Sequence, residues 1–331
     1  MKAVVVAEEG LRVVEVPTPV AGDEEVLVTV ERCGICGTDL HLPERSENVG
    51  LVPGHEICGV VRSCGPGVVD LRVGQRVIVK PSIPCSTCSS CQREEPEACP
   101  NQWATHLGLG SNGGYAEVVV APARNCVIVP EHVSAAQAAL AEPYAVALHG
   151  LSLARTPPGT SAVVIGAGPI GLMMTIALLA RGVEVVVVEP RAERAKTAQV
   201  LGAVATFPSV ADLEDGDLSD RSLVVECSGA SGMAEQAVRV VRIGGSVILM
   251  ATSPGQVFID ARSWTRKQVM VRASVGYSMA DFRAGLHAVS TGVVPDQILI
   301  SSVRNLDEAQ ASFDALNRGD EIKIQLAPNG F

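Results

Sequence analysis

The sequence predicts an α/β protein, a doubly wound parallel sheet joined to a mostly β region. Three observations predict it. Beyond Pro157-Pro158-Gly159, apolar strand-like runs alternate with helix-like segments, the rhythm of strands buried on both faces. The first of these strands runs into Gly166-Ala167-Gly168-Pro169-Ile170-Gly171, a spacing that turns a strand into a helix. Before residue 130, Val-rich runs such as Val26-Leu27-Val28-Thr29-Val30 and Ala116-Glu117-Val118-Val119-Val120 are broken by Gly and Pro, the pattern of an antiparallel, partly barrel-like region.

In chain order, the β-rich character ends at Ser134, and 135–140 and 146–154 read as helices. A strand at 162–165 feeds the glycine turn and an apolar helix through 180. A strand at 183–188 and a helix at 191–201 follow. Strands at 222–226 and 246–250 flank a helix near 233–241, and the acidic stretch 212–220 reads as a surface loop. A helix at 306–316 and a strand at 322–326 close the chain. This gives two domains, 1–144 with 278–331 and, between them, 145–277.

Composition narrows the function. Of the 331 residues 47% are apolar and 19% charged, which suits a soluble globular core; with 3% aromatics that core must be Val, Ala, Leu and Ile. The net charge of −10 disfavours nucleic acid and anionic membrane as partners. Glu8-Glu9 cut short the apolar start at Lys2-Ala3-Val4-Val5-Val6-Ala7, unlike a signal peptide. The apolar run near 172–180 is too short to span a bilayer. A cytoplasmic protein is expected, in which ten cysteines are ligands or buried thiols rather than disulfides.

The glycine turn carries a dinucleotide reading. Gly166 allows the tight turn, Gly168 lets backbone approach a pyrophosphate, and Gly171 lets the helix pack against the strand. The pyrophosphate meets the unpaired groups at the helix start, Pro169 and Ile170. Glu189, eighteen residues beyond Gly171, stands where a carboxylate receives the ribose hydroxyls. It would repel a 2′-phosphate, which favours NAD over NADP. Arg191 and Arg194 argue the other way, unless they form only a solvated first helical turn.

Cys85, Cys88, Cys91 and Cys99 form a C-x2-C-x2-C-x7-C array in a loop with no apolar periodicity, so only a metal gives it something to fold around. Four thiolates are the closed set of structural zinc. A ferredoxin run resembles it down to Cys99-Pro100, but places three residues before the last cysteine where this chain has seven. The acidic balance speaks against a nucleic-acid-binding zinc module.

A second set of ligand-type residues lies in Cys33-Gly34-Ile35-Cys36-Gly37-Thr38-Asp39-Leu40-His41, Pro53-Gly54-His55-Glu56 and Ala141-Glu142-Pro143. Cysteine, histidine and carboxylate from separate segments suit catalytic zinc with an open position. Singly, Cys33 and Cys36 could be a redox pair, His55 a core histidine and Glu56 a paired buried acid.

Together with Glu226-Cys227-Ser228-Gly229, these segments resemble the zinc-containing medium-chain dehydrogenase/reductase family along nearly the whole chain, nearest its sorbitol and threonine dehydrogenase branch. The resemblance implies a GroES-like catalytic domain and a Rossmann coenzyme domain. It implies two zinc ions per chain, a catalytic one on Cys36 and His55 and a structural one on the four-cysteine array. Glu56 is then a ligand or near neighbour, and Glu142 stands where liver-type enzymes have a second cysteine. Thr38 and His41 match proton-relay positions, Asp39 orients His55, and Arg194 and Ser228 join the cofactor residues. The implied reaction passes hydride between NAD and a small secondary alcohol (a polyol, cyclitol or amino-polyol), giving a ketone, in a homodimer or homotetramer. The alternatives are oxidation of simple alcohols, glutathione-linked formaldehyde oxidation, or an inactive zinc-binding regulator. The short segment between His41 and His55, and Tyr144 after Glu142-Pro143, depart from the family pattern and bear on the substrate.

Overall fold

The computed structural model describes residues 1–154, 159–215, 220–251 and 259–330. They form two compact units, Met1–Glu142 with Ser278–Phe331, and Pro143–Tyr277.

The second unit is built on a six-stranded sheet, all parallel, in the order Ala205–Phe207, Glu184–Val188, Ser161–Ile165, Arg221–Glu226, Val241–Leu249, Met270–Ala273. Numbered by chain position within the unit, the six strands run 3-2-1-4-5-6, the Rossmann order, in which the reversal beside Ser161–Ile165 leaves a crevice at the carboxyl ends of the strands. The sheet holds together because its inner strands are valine-rich and buried on both faces: Val163, Val186, Val224 and Val247 are fully buried. Each contributes about 1.5–3 kcal/mol by leaving water. The helix Pro169–Leu179 is apolar on every side, and Gly171 through Leu178 are all buried.

The first unit has a seven-stranded sheet. Its path runs Ile300–Arg304, Lys323–Leu326, Glu25–Gly34, Glu56–Cys64, Arg76–Val79, Cys126–Ile128, with Val118–Pro122 also paired to Glu25–Gly34. Only the first pair is parallel. Register shifts between Glu25–Gly34 and Glu56–Cys64 curl the sheet toward the GroES-like barrel. Its core is Val, Ala, Leu and Ile around two aromatics, Tyr115 and Phe313.

Three elements differ from the sequence reading. The helix expected at 146–154 begins at Ala141, so Glu142 lies in its first turn instead of a loop. The expected loop at 212–220 starts inside a short helix, Val210–Asp215, fixed by buried Val210 and Leu213; 216–219 lie outside the described residues. The helix Ala261–Lys267 and edge strand Met270–Ala273 had no sequence signal strong enough to read, because the edge strand is only half-buried. No helix among the described residues is long and apolar enough to cross a membrane.

Candidate active site

Two strands bring the reactive residues together. Cys36 lies two residues past the end of Glu25–Gly34, and the antiparallel partner strand begins at Glu56, with Gly34 paired to Glu56. Cys36, His55 and Glu56 therefore start from one end of one strand pair. The 3-10 turn Asp39–Glu44 folds back from Cys36 and buries Asp39 completely.

Asp39 is the hub. Its Oδ2 accepts from the Cys36 backbone N–H (3.0 Å) and from the Tyr115 hydroxyl (2.6 Å), and its Oδ1 lies 3.2 Å from His55 Nδ1. That last pair is close enough for charge attraction, but neither atom makes an aligned hydrogen bond. Burial alone would raise the Asp39 pKa; His55 and the two donors outweigh it and hold it below the usual carboxylate value. Burial alone would lower the His55 pKa; Asp39 and Cys36 outweigh it and hold it well above the usual imidazole value. A positive charge is thus favoured on His55, and a metal held there would take the place of the proton. With Nδ1 turned to Asp39, Nε2 is the nitrogen left for a metal.

Glu56 has another partner. Its Oε1 accepts from Lys323 Nζ at 2.5 Å, and Lys323 also donates to the Ile35 carbonyl at 2.9 Å. Both side chains are at most 2% exposed. Burial would lower the Lys323 pKa, but Glu56 and the nearby acids raise it. The lysine arrives from far along the chain because Lys323–Leu326 pairs with Glu25–Gly34, Gln325 opposite Gly34. Sequence reading missed Lys323; a lysine inside a short apolar strand was the available signal. Glu142 is 7% exposed and acts electrostatically on both Lys80 and Lys323. Among the described residues, the four proposed catalytic ligands do not form one compact ligand cluster. Cys36 and His55 adjoin, and Glu56 is turned to Lys323.

Thr38 is exposed, and its hydroxyl oxygen accepts from the Cys36 thiol at 3.7 Å. His41 follows on the same turn, 69% exposed, with Nδ1 at 3.3 Å from Glu44. It can therefore exchange protons with solvent.

Two further residues went unread in the sequence. His106 is buried, stacks on Trp103 (5.7 Å) and meets the His55 ring edge-on (5.6 Å). Burial first, and then His55, lower its pKa to about 3, so it is neutral, with Nδ1 against the Leu107 carbonyl at 2.9 Å. Lys80 is 7% exposed and its pKa is lowered by burial. Tyr144, by contrast, is 2% exposed with its phenol pushed up to about 12 by burial, so it is a core side chain that offers no surface to a substrate.

The four-cysteine array closes into a cage. Sγ–Sγ distances are 3.5 Å for Cys88–Cys91, 3.6 Å for Cys85–Cys99 and 3.8 Å for Cys88–Cys99. Zinc–sulfur bonds of about 2.3 Å in a tetrahedron put the sulfurs about 3.8 Å apart, so the cage has the size of one ion and not of an iron–sulfur cluster. Hydrogen bonds, that from the Thr87 hydroxyl first, hold the Cys85 pKa below the usual thiol value. Cys88→Ser should lower the melting temperature and soluble yield, checked by a thermal melt and by metal analysis of whatever folds. All ten cysteines are free. Cys33 is fully buried, and burial raises its pKa well above the usual value, so it is no thiolate partner for Cys36.

In the second unit each glycine of the turn has a separate reason. Gly166 has φ of +95°, a backbone that side chains rarely adopt. A Cβ on Gly171 would sit 1.9 Å from the Gly166 carbonyl oxygen. A Cβ on Gly168 would meet nothing nearer than Arg194 Nη1 at 4.0 Å. Packing does not require glycine at 168; the open space over the helix start is what a pyrophosphate needs. Pro169 and Ile170 form the first turn there. Glu189 Oε2 accepts from Ala167 N–H (2.7 Å) and Oε1 from Arg191 N–H (2.9 Å), which fixes the carboxylate beside the turn. Glu226 Oε1 accepts from the Ser228 N–H (2.7 Å) and hydroxyl (2.5 Å), holding Ser228 against Gly166.

A cysteine–histidine pair, a four-cysteine cage and a dinucleotide turn in one chain define a zinc-dependent dehydrogenase. Residues 22–131 match the alcohol dehydrogenase GroES-like domain and residues 169–291 the zinc-binding dehydrogenase domain. D-xylulose reductase A of Aspergillus oryzae (strain ATCC 42149 / RIB 40) is 31% identical over 330 residues, 94% of this chain and 92% of that protein. Galactitol-1-phosphate dehydrogenase from Escherichia coli superposes with a TM-score of 0.91 at 26% identity, over 99% of this chain and 100% of that one. A protein of Sinorhizobium meliloti 1021 described as a zinc-binding dehydrogenase, bound to NADP, superposes at 0.92 with 29% identity over 99% of each chain. The chain belongs to the zinc-containing medium-chain alcohol dehydrogenases, in their sorbitol- and xylitol-type polyol branch. It is an oxidoreductase of the alcohol dehydrogenase type that uses zinc and a nicotinamide cofactor.

Proposed function

We propose that the protein interconverts a secondary alcohol of a polyol, cyclitol or amino-polyol with the corresponding ketone, preferring NAD and holding two zinc ions. The observation that carries this reading is the convergence of Cys36 and His55 on Asp39, beside buried polar side chains. When bound, the zinc supplies a Lewis acid that acidifies a substrate hydroxyl, and the nicotinamide supplies the hydride acceptor. Cys36 and His55 hold that zinc, with Glu142, and Glu56 when it leaves Lys323, as further carboxylates. Thr38 passes the hydroxyl proton outward and His41 hands it to solvent. Ten free cysteines suit a reducing compartment and support a cytoplasmic enzyme. We propose further that it works as a homodimer or homotetramer, with neither nucleic acid nor membrane as partner.

The substrate reading has two supports. The related Aspergillus protein is a D-xylulose reductase. His106, against the His55 ring, Lys80, which acts electrostatically on His106, and Glu142, which acts in turn on Lys80, are polar and buried. The extra hydroxyls of a polyol find polar partners in such surroundings, which a simple alcohol does not use. Sugar alcohols should therefore exceed ethanol in kcat/KM by about 100-fold or more, measured by following reduced nicotinamide. Equal efficiency on primary alcohols, with none on any polyol, would refute the reading.

The cofactor reading rests on Glu189, fixed at the glycine turn. A 2′-phosphate near it meets a like charge at low dielectric. Against this stand the NADP of the Sinorhizobium protein and Arg194 beside Gly168. Wild-type protein should favour NAD in kcat/KM, and Glu189→Ala should narrow the preference by about tenfold. A wild-type preference for NADP would assign the site to Arg191 and Arg194 instead.

A further inference from the structure

We infer that Tyr115 is a positioning residue for the metal ligands Cys36 and His55, acting through Asp39. The inference rests on the reading of those two residues as ligands of the catalytic zinc.

Tyr115 is fully buried, and its hydroxyl lies 2.6 Å from Asp39 Oδ2 and 3.3 Å from the Gly34 carbonyl. A phenol has one proton to donate, and the shorter, charge-assisted bond to the carboxylate takes it. Asp39 in turn touches both ligands, through the Cys36 backbone N–H at 3.0 Å and His55 Nδ1 at 3.2 Å. One hydroxyl thus fixes the carboxylate that sets the backbone of one ligand and the ring of the other.

The ring reaches the same site by a second route. Gly54, which precedes His55, has φ of +95°, and a Cβ there would lie 2.3 Å from Tyr115 Cδ1. The aromatic face rests on the bare backbone that presents His55. The ring also meets Phe313 edge-on at 6.3 Å. Groups that orient a metal ligand from behind change metal affinity by about 10–100-fold when removed. Without the hydroxyl, Oδ2 keeps only the Cys36 N–H, and Asp39 is free to rotate off His55.

The test follows zinc release from the intact two-zinc protein into a chromogenic chelator. Cys36→Ser identifies the release phase that belongs to this site. Tyr115→Phe is expected to speed that phase by about tenfold and leave the cysteine-cage phase unchanged. Phe313→Leu, which trims a neighbour of the ring but keeps the hydroxyl bond to Asp39, should speed the Cys36 phase far less than Tyr115→Phe and leave the cysteine-cage phase unchanged. A wild-type rate in Tyr115→Phe overturns the inference, as does equal acceleration of both phases, which would mark general loosening. If Cys36→Ser still holds two zinc ions, the ligand reading itself fails, and the inference with it.

Discussion

Cys36→Ser is expected to cut kcat/KM by three orders of magnitude or more while zinc falls from two ions per chain to one. The Cys36 side chain is half-buried, and the core is built from other residues, so a serine fits without a cavity. The melting temperature should accordingly stay within a few degrees of wild type. What changes is ligand chemistry. A thiolate beside His55 is a strong zinc donor, whereas a serine hydroxyl keeps its proton at neutral pH and donates weakly. Zinc lowers the pKa of a bound oxygen acid by several units, and each unit is about 1.4 kcal/mol of charge stabilisation at the reacting oxygen. Losing three or more of these units gives the predicted fall, since each tenfold in rate is a similar energy. Metal analysis, a thermal melt and steady-state kinetics on one preparation decide it. Full activity in the serine variant would remove Cys36 from the chemistry.

The fold was legible because its signals are local. The strand before Gly166, the apolar helix after it and the acid at 189 follow one another in sequence, and the structure places them in consecutive elements. The cysteine cage was legible for the same reason, since its ligands fall within one loop. Cys36 and His55 could be named because each sits in a short, distinctive run. Lys323 and Tyr115 could not. Each reaches the site from far along the chain, Lys323 through the register of Gln325 on Gly34 and Tyr115 through a backbone bond to Pro53 and its hydroxyl bond to Asp39, and such partners are not written in local pattern. Lys323 also lies in a strand buried at every position, so there is no alternation to mark which side chain faces the carboxylate. Tyr144 failed in the opposite direction. It follows Glu142-Pro143 and reads in sequence as a neighbour of the substrate, but the helix begins at Ala141 and turns it into the core.

Lys323→Met should destabilise the protein by about 3–5 kcal/mol, the usual cost of leaving a buried charge without its partner. Glu56 Oε2 already has no hydrogen-bond partner among the described residues, and removing Lys323 takes the donor from Oε1 as well. At 1% exposure the carboxylate gains little from water. The melting temperature should fall on the order of 10 °C. The pH dependence has a definite sign. Glu56 raises the Lys323 pKa above the ordinary lysine value despite burial, so the pair's contribution is complete at neutral pH and fades only as pH climbs through that raised value. The stability curves of the wild type and of Lys323→Met should therefore run parallel across neutral pH and converge in strong alkali. The double variant Glu56→Gln with Lys323→Met separates a lost charge partner from a packing fault. With no charge left to strand, it should recover most of the stability, because replacing a whole buried pair is often close to neutral. If the double variant is as unstable as Lys323→Met alone, the loss comes from the shape of the lysine stem and not from Glu56.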